Sequence, residues 1–205
     1  MTDVDGVLAS GRLPIVAAVR MHAVALWRWV TRQPATPDDV TSLSHTSDTR
    51  QLLTVLASVE IVMAPVVDLI FPKGLRIPHL VLETILAAVA FSFVATWSRH
   101  PHLIHGNLLR LRTGAFGELT LAVRQIETIR KHERKVKGFG LRAVPDEATA
   151  LACTVGAKVN LLIEFADPLS VDINGDNRTV TRVYTAVDEP SAAIRAVKLA
   201  MPKRQ

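Results

Sequence analysis

The chain has 205 residues, 49 % of them apolar and only 5 % aromatic, with a formal net charge of +5. A single cysteine, Cys153, excludes an intrachain disulfide and a cysteine-built metal site. The charge is split: residues 1–98 sum to −1 and residues 99–205 to +6, so an anionic partner for the C-terminal half is expected.

The first twelve residues, "MTDVDGVLASGR", are acidic and lack an apolar core, so no secretory leader is expected. Residues 12–33 read as an amphipathic helix, with Arg20, Arg28 and Arg32 within about a third of the wheel and Leu26, Trp27, Trp29 and Val30 as apolar bulk. Such a helix lies in the headgroup layer, or packs on the span bases or the C-terminal domain. "PATPDDVTSLSHTSDTR" reads as a loop.

Two long apolar runs follow. Residues 52–71, "LLTVLASVEIVMAPVVDLIF", carry only Glu60 and Asp68 as charges. Residues 77–97, "IPHLVLETILAAVAFSFVATW", carry only Glu83. At ~1.5 Å per residue, 20 helical residues cover ~30 Å, the thickness of a bilayer core. Joined by "PKGLR", with Pro78 in the first turn of the second span, they read as a transmembrane hairpin. Only Lys73 and Arg76 flank its turn, whereas the arginines before the first span and the basic domain after the second lie at the other end. This predicts a multi-pass protein of the cell membrane with both termini cytoplasmic.

Beyond Trp97 the period changes to two. "NLLRLRTG" and "GELTLAV" alternate around "TGAFG" and predict a β-hairpin. "IETIRKHERKVKG" reads as a third strand entering a basic loop. "ATALACTV" and "KVNLLIEF" read as a second hairpin turning at Gly156 and Ala157. "LSVDI" and "TVTRVYTAV" flank "NGDN", an Asn-Gly turn signal, and "EPSAAIRAVKLAM" closes as a helix. About seven short strands and one helix predict a small antiparallel sheet or barrel capped by that helix.

The segment "RHPHLIHGNLLRLRTGAFGELTLAVRQIETI" resembles the opening of bacterial PH-like domains attached to membrane spans, through Gly114, Phe116, Leu121, Ile126 and Ile129. Over residues 27–201 the chain is similar to a group of uncharacterised two-span bacterial membrane proteins with a C-terminal cytoplasmic PH-like domain. The resemblance implies a membrane α+β protein, with the PH-like domain over residues 101–201 behind an N-terminal segment, 1–50, and the hairpin, 51–98. It carries no catalytic residues.

Candidate chemistry is sparse. Arg130, Lys131, Arg134, Lys135 and Lys137 form a basic run suited to anionic lipid or an acidic partner. Nucleic acid is disfavoured, because no aromatic residues interleave and no recognition helix follows. His100, His102 and His105 offer three imidazoles, but no carboxylate or cysteine nearby completes a ligand set, so no metal or other cofactor is expected. Glu60 falls near the bilayer midplane and Glu83 a turn or two inside the second span. A carboxyl at that depth is neutral, paired, or turned toward protein. For Glu60 this means a hydrogen bond within the hairpin or across a homodimer, a contact to another membrane protein, or a proton relay. Three functions stay open: a non-enzymatic scaffold at the inner leaflet, a membrane-embedded enzyme or accessory subunit built on Glu60, Glu83 and the histidines, and a module that senses anionic lipid.

Overall fold

The computed structural model describes residues 7–33, 40–173 and 175–202. Its most extended feature is a pair of helices, α2 (Ser47–Asp68) and α3 (Lys73–Arg99), both long and apolar enough to span a membrane. Their 22 and 27 residues correspond to ~33 and ~40 Å. The facing stripes are small, with Ala57, Ala64 and Ala87 all buried, which lets the backbones approach closely. The outward faces are oily. Val55, Leu56, Val59, Ile61 and Val62 on α2, and Val81, Leu82, Ile85, Leu86 and Val89 on α3, are 47–68 % exposed. In water that much contiguous apolar surface would drive aggregation.

The connection is Leu69–Pro72, shorter than the sequence suggests, because "KGLR" is already the first turn of α3. Pro78 therefore lies inside α3 rather than in its first turn, and Pro65 lies inside α2. Each proline removes a donor and leaves the carbonyl four residues earlier without its usual partner.

The domain at the other end consists of two five-stranded sheets, neither closed into a barrel. The first runs β1 (Leu8–Ser10), β5 (Glu118–Ala122), β4 (Leu108–Arg112), β3 (His102–His105), β2 (Thr41–Leu43). The second runs β6 (Ile126–Lys135), β9 (Lys158–Ile173), β10 (Asp176–Thr185), β8 (Glu147–Thr154), β7 (Gly140–Val144). The expected β4–β5 hairpin forms, with Leu109 opposite Leu121 and Leu111 opposite Leu119. All four point into a core shared with Leu151, Leu161, Ile163 and Val183 of the second sheet. The closing helix, α4 (Pro190–Ala200), adds Ala193 and Val197 to the same core.

Three expectations are corrected. β8 and β9 do not form a hairpin across Gly156 and Ala157. β8 instead pairs antiparallel with β7 and parallel with β10, while β9 pairs with β6 and β10. "KVNLLIEF" and "LSVDI" are one 16-residue strand, β9, rather than two. The segment around residues 34–50 is not all loop, since Thr41–Leu43 pairs with β3 and α2 begins at Ser47. Residues 34–39 of that loop, residues 1–6, and Asn174 of the Asn-Gly turn lie outside the described residues.

β1 and β2 precede the helical hairpin in sequence, yet they form the two edges of a sheet whose middle strands follow it. The chain on both sides of the hairpin is therefore woven into one sheet. The helix expected at residues 12–33 is α1 (Ile15–Val30). Its packed face leans on the domain end of α3: Thr96 Oγ1 is 2.8 Å from His22 Nδ1, and Trp29 stacks on Phe91. Its other face leaves Ile15, Val16, Val19, Trp27 and Val30 63–82 % exposed.

Candidate functional site

The hairpin interface holds a string of four titratable side chains. Asp68, at the last turn of α2, has its Oδ1 3.1 Å from His79 Nδ1. The other ring nitrogen of His79 lies 3.4 Å from Glu83 Oε1, one helical turn along α3. Glu83 in turn is within hydrogen-bonding reach of Glu60 on α2. Helical spacing produces this line-up. Residues 79, 83 and 87 recur every fourth position on α3, while Glu60 lies at the edge of the facing stripe of α2, three residues after the buried Ala57 and four before the buried Ala64. The Phe71 ring stacks on His79 at 4.4 Å and covers its turn-facing side. The side chains of Asp68, His79 and Glu83 are only 13–14 % exposed, whereas Glu60 is exposed on the flank of the hairpin. The sequence singles out Glu60 and Glu83 and misses His79, whose place four residues before Glu83 was the available signal.

The five basic residues do not form one patch. Most of the run is strand rather than loop, because β6 continues to Lys135 and forms an edge of its sheet. Arg130 pairs with Glu164 at 3.3 Å. Arg134 is held by Glu147 and by Asp146, and it lies over the Tyr184 ring. Lys131, Lys135 and Lys137 have no ion pair among the described residues. Edge lysines of this kind also block strand addition by another chain.

Sequence reasoning missed the cluster that holds Arg134. Tyr184, nearly fully buried, donates its hydroxyl to Glu147 at 3.0–3.1 Å. Burial raises the Glu147 carboxyl, but bonds from Arg134 and Tyr184 outweigh it and hold it below the usual range. Burial, followed by the bond to Glu147, pushes the Tyr184 phenol up.

The three histidines near residue 102 do not converge. Among the described residues no three His, Cys, Asp or Glu side chains are grouped to hold a metal ion. His100 bonds the Thr96 carbonyl at 2.8 Å, and burial lowers its basicity despite that bond. His102 is fully buried. Its Nδ1 accepts from the Arg112 N–H at 2.9 Å, and its Nε2 lies 3.2 Å from the Ala186 carbonyl. Burial pulls its pKa down to about 4. It stacks at 4.2 Å on His45, whose two ring nitrogens are buried without partners and which burial holds well below the usual imidazole value. Cys153 is fully buried, and burial lifts its thiol to about 12, far from a nucleophile's range.

The domain is pinned to the hairpin base by Asp188. One of its carboxylate oxygens accepts from the Ser47 N–H at 2.9 Å, capping the start of α2, and the other lies 3.5 Å from Arg50. Arg50 also donates to Ser98 at the end of α3 at 3.1 Å. Beside this junction opens a cleft of about 750 Å³, lined by Asp48, Leu52, Glu133, Lys135, Lys158 and Asn160 among others.

No family model, curated protein or solved structure matches this chain. The fold and the polar string define a protein with two potential membrane-spanning helices and a β-rich domain fixed to their base.

Proposed function

We propose that this chain is a non-enzymatic integral membrane protein. On this reading α2 and α3 cross the cell membrane, and a PH-like domain stands in the cytoplasm to hold or regulate a partner at the inner leaflet. The observation that carries the proposal is the weave of the first sheet. Strands before and after the hairpin pair with each other, so both ends of the hairpin face the same compartment. The turn offers only Lys73 and Arg76, while the remaining basic residues lie at the domain end, which favours the cytoplasm for that end. The exposed apolar face of α1 continues the oily surface of α3 into the headgroup layer, where Arg20 and Arg28 meet phosphates. The lysines of β6 left without ion pairs provide the contact surface for the partner.

The test is purification of the full chain in mild detergent, alone and with Lys131, Lys135 and Lys137 each changed to Glu. The expected result is a co-purifying partner that the wild type retains and the charge-reversed chain loses. A wild-type chain that retains no partner and does not self-assemble overturns the proposal.

The cleft favours a second reading, direct contact with anionic lipid. Arg134, Lys135 and Lys158 line it beside the start of α2, together with Asp48, Glu133 and Asp188, and Leu52 marks the side next to the hydrocarbon. Vesicles containing phosphatidylglycerol would then be bound more strongly than neutral vesicles, and the difference would fall with salt.

A further inference from the structure

Two carboxyl groups facing each other in a hairpin need something between them. A carboxylate has no hydrogen to donate, so Glu60 and Glu83 hold each other only through a proton. Glu83 Oε2 is buried with no donor among the described residues, so its one available partner is the Glu60 carboxyl, and only when that group carries hydrogen. Lysine or arginine does not fill the gap. Lys73 and Arg76 lie at the turn, where Arg76 is engaged with the carbonyls of Leu69 and Phe71. α1 brings His22 and Arg28 only to the opposite end of α3, against Ser92, Thr96 and Arg99. Arg50 is likewise at the domain end, on Ser98 and Asp188.

The pair is also connected. His79 touches Asp68 with one ring nitrogen and Glu83 with the other, so a proton taken at one nitrogen is matched by release from the other. Asp68 stands at the turn, where water and headgroups reach it, and Glu60 is eight residues further in, ~12 Å along the axis. Beyond Glu60, toward the domain, the facing stripe of α2 continues with Ala57 and then Thr54, whose hydroxyl donates to the Arg50 carbonyl, while Ser58 is exposed on the outer face. The string therefore has one open end and one blind end.

We propose that Glu60 and Glu83 form a proton-binding site inside the membrane, loaded from the turn side through Asp68 and His79. The site stores one proton and does not conduct it across. The exposed edge of Glu60 presents that proton to the surface of the hairpin. The inference rests on α2 and α3 spanning the membrane, but it does not depend on what the domain binds.

The experiment uses the full chain in nanodiscs of phosphatidylethanolamine and phosphatidylglycerol, treated with dicyclohexylcarbodiimide and mapped by mass spectrometry. This reagent needs a protonated carboxyl. The carboxyl oxygen adds to the carbodiimide carbon, the carboxyl proton moves to a nitrogen, and the adduct rearranges to a stable N-acylurea. The expected result is an adduct on Glu60 or Glu83 at pH 7 that declines as pH is raised. E60Q should lower labelling of Glu83 at the same pH, because Glu83 then has no second carboxyl with which to share the proton. Infrared spectra should show a protonated-carboxyl stretch at pH 7, shifted in D₂O, that E60Q and E83Q each remove. H79A should keep that band at equilibrium but slow its response to a pH jump. Absence of both adduct and band from the wild type at pH 7, an adduct confined to Asp68, equal Glu83 labelling in E60Q, or an H79A response as fast as wild type overturns the proposal. Alkaline extraction of each variant from native membranes reports insertion separately, so a chain that is not membrane-embedded is distinguished from a hairpin without the proton.

Discussion

The hairpin and the β domain are built inside out relative to one another. The β domain buries Leu109, Leu119, Leu121 and Ile163 and turns Arg130, Lys131 and Lys135 outward. The hairpin turns Leu56, Val62 and Leu82 outward and keeps Asp68, His79 and Glu83 between its helices. The same residue type therefore carries opposite energetic weight in the two regions. A leucine facing the surroundings is stabilising in hydrocarbon and merely tolerated in water. A carboxylate on the surface is inexpensive in the domain, where solvent screens it, and on the proposed membrane reading it is costly in the hairpin unless paired.

The comparison is broken most severely by matched leucine truncations. Leu119→Ala, at a fully buried position, should lower domain stability by about 2–5 kcal/mol. Leu56→Ala, 55 % exposed on α2, should change it by less than about 0.5 kcal/mol. Denaturant unfolding of the full chain in detergent, followed by Tyr184 and tryptophan fluorescence, measures both. Equal losses would mean that the outer face of the hairpin is packed against protein.

Acid should separate the regions next. His102 has a pKa of about 4 in the fold against 6.5 when unfolded, so below pH 6.5 the unfolded chain takes up a proton that the folded chain refuses. Stability is thus complete above pH 6.5 and is lost as pH falls toward 4. At about 1.4 kcal/mol per pH unit, His102 alone withdraws ~3 kcal/mol over that range. His45, shifted the same way, adds to the loss. His102→Gln should flatten the profile of the melting temperature against pH, and an unchanged slope would remove His102 as its source.

A smaller effect tests the link between the regions. Asp188→Ala removes the cap of α2 and the partner of Arg50, at ~1 kcal/mol. Hydrogen exchange should rise at Ser47–Arg50 and leave the domain core unchanged. The smallest expected effect is Tyr184→Phe, ~1 kcal/mol or less, because Glu147 keeps its bond to Arg134.

The parts legible in the sequence were those with a long repeating pattern. A run of 20 mostly apolar residues announces a helix of bilayer length, and alternation around Gly114 and Gly117 announces β4 and β5. β1 and β2 are three residues each, "LAS" and "TSL", too short to show a period; their pairing is decided by the edges offered by β5 and β3. The parallel β8–β10 pair was hidden because neighbouring strands usually pair with each other, whereas β6 had already taken the side of β9 that β8 would have needed. In the candidate site, Glu60 and Glu83 stood out as charges in an oily background. His79 did not, because an imidazole is not counted as a charge, and only the packing of α2 on α3 shows that it joins Asp68 to Glu83. The Arg134, Glu147 and Tyr184 cluster spans distant strands and has no local signal.

The weave of the first sheet also imposes an order on biogenesis. Leu8 and Thr41 emerge from the ribosome long before their partners Thr120 and Ile104, with the entire hairpin synthesised in between. On the proposed membrane reading, β1 and β2 must wait, unpaired, while the hairpin enters the bilayer. A hairpin that threads with its ends on opposite sides strands them across the membrane from β5 and β3, and the sheet is never finished. On that reading, completion of the sheet would proofread topology: only a correctly inserted chain would gain a folded domain, and a misthreaded one would keep bare strand edges exposed to proteases.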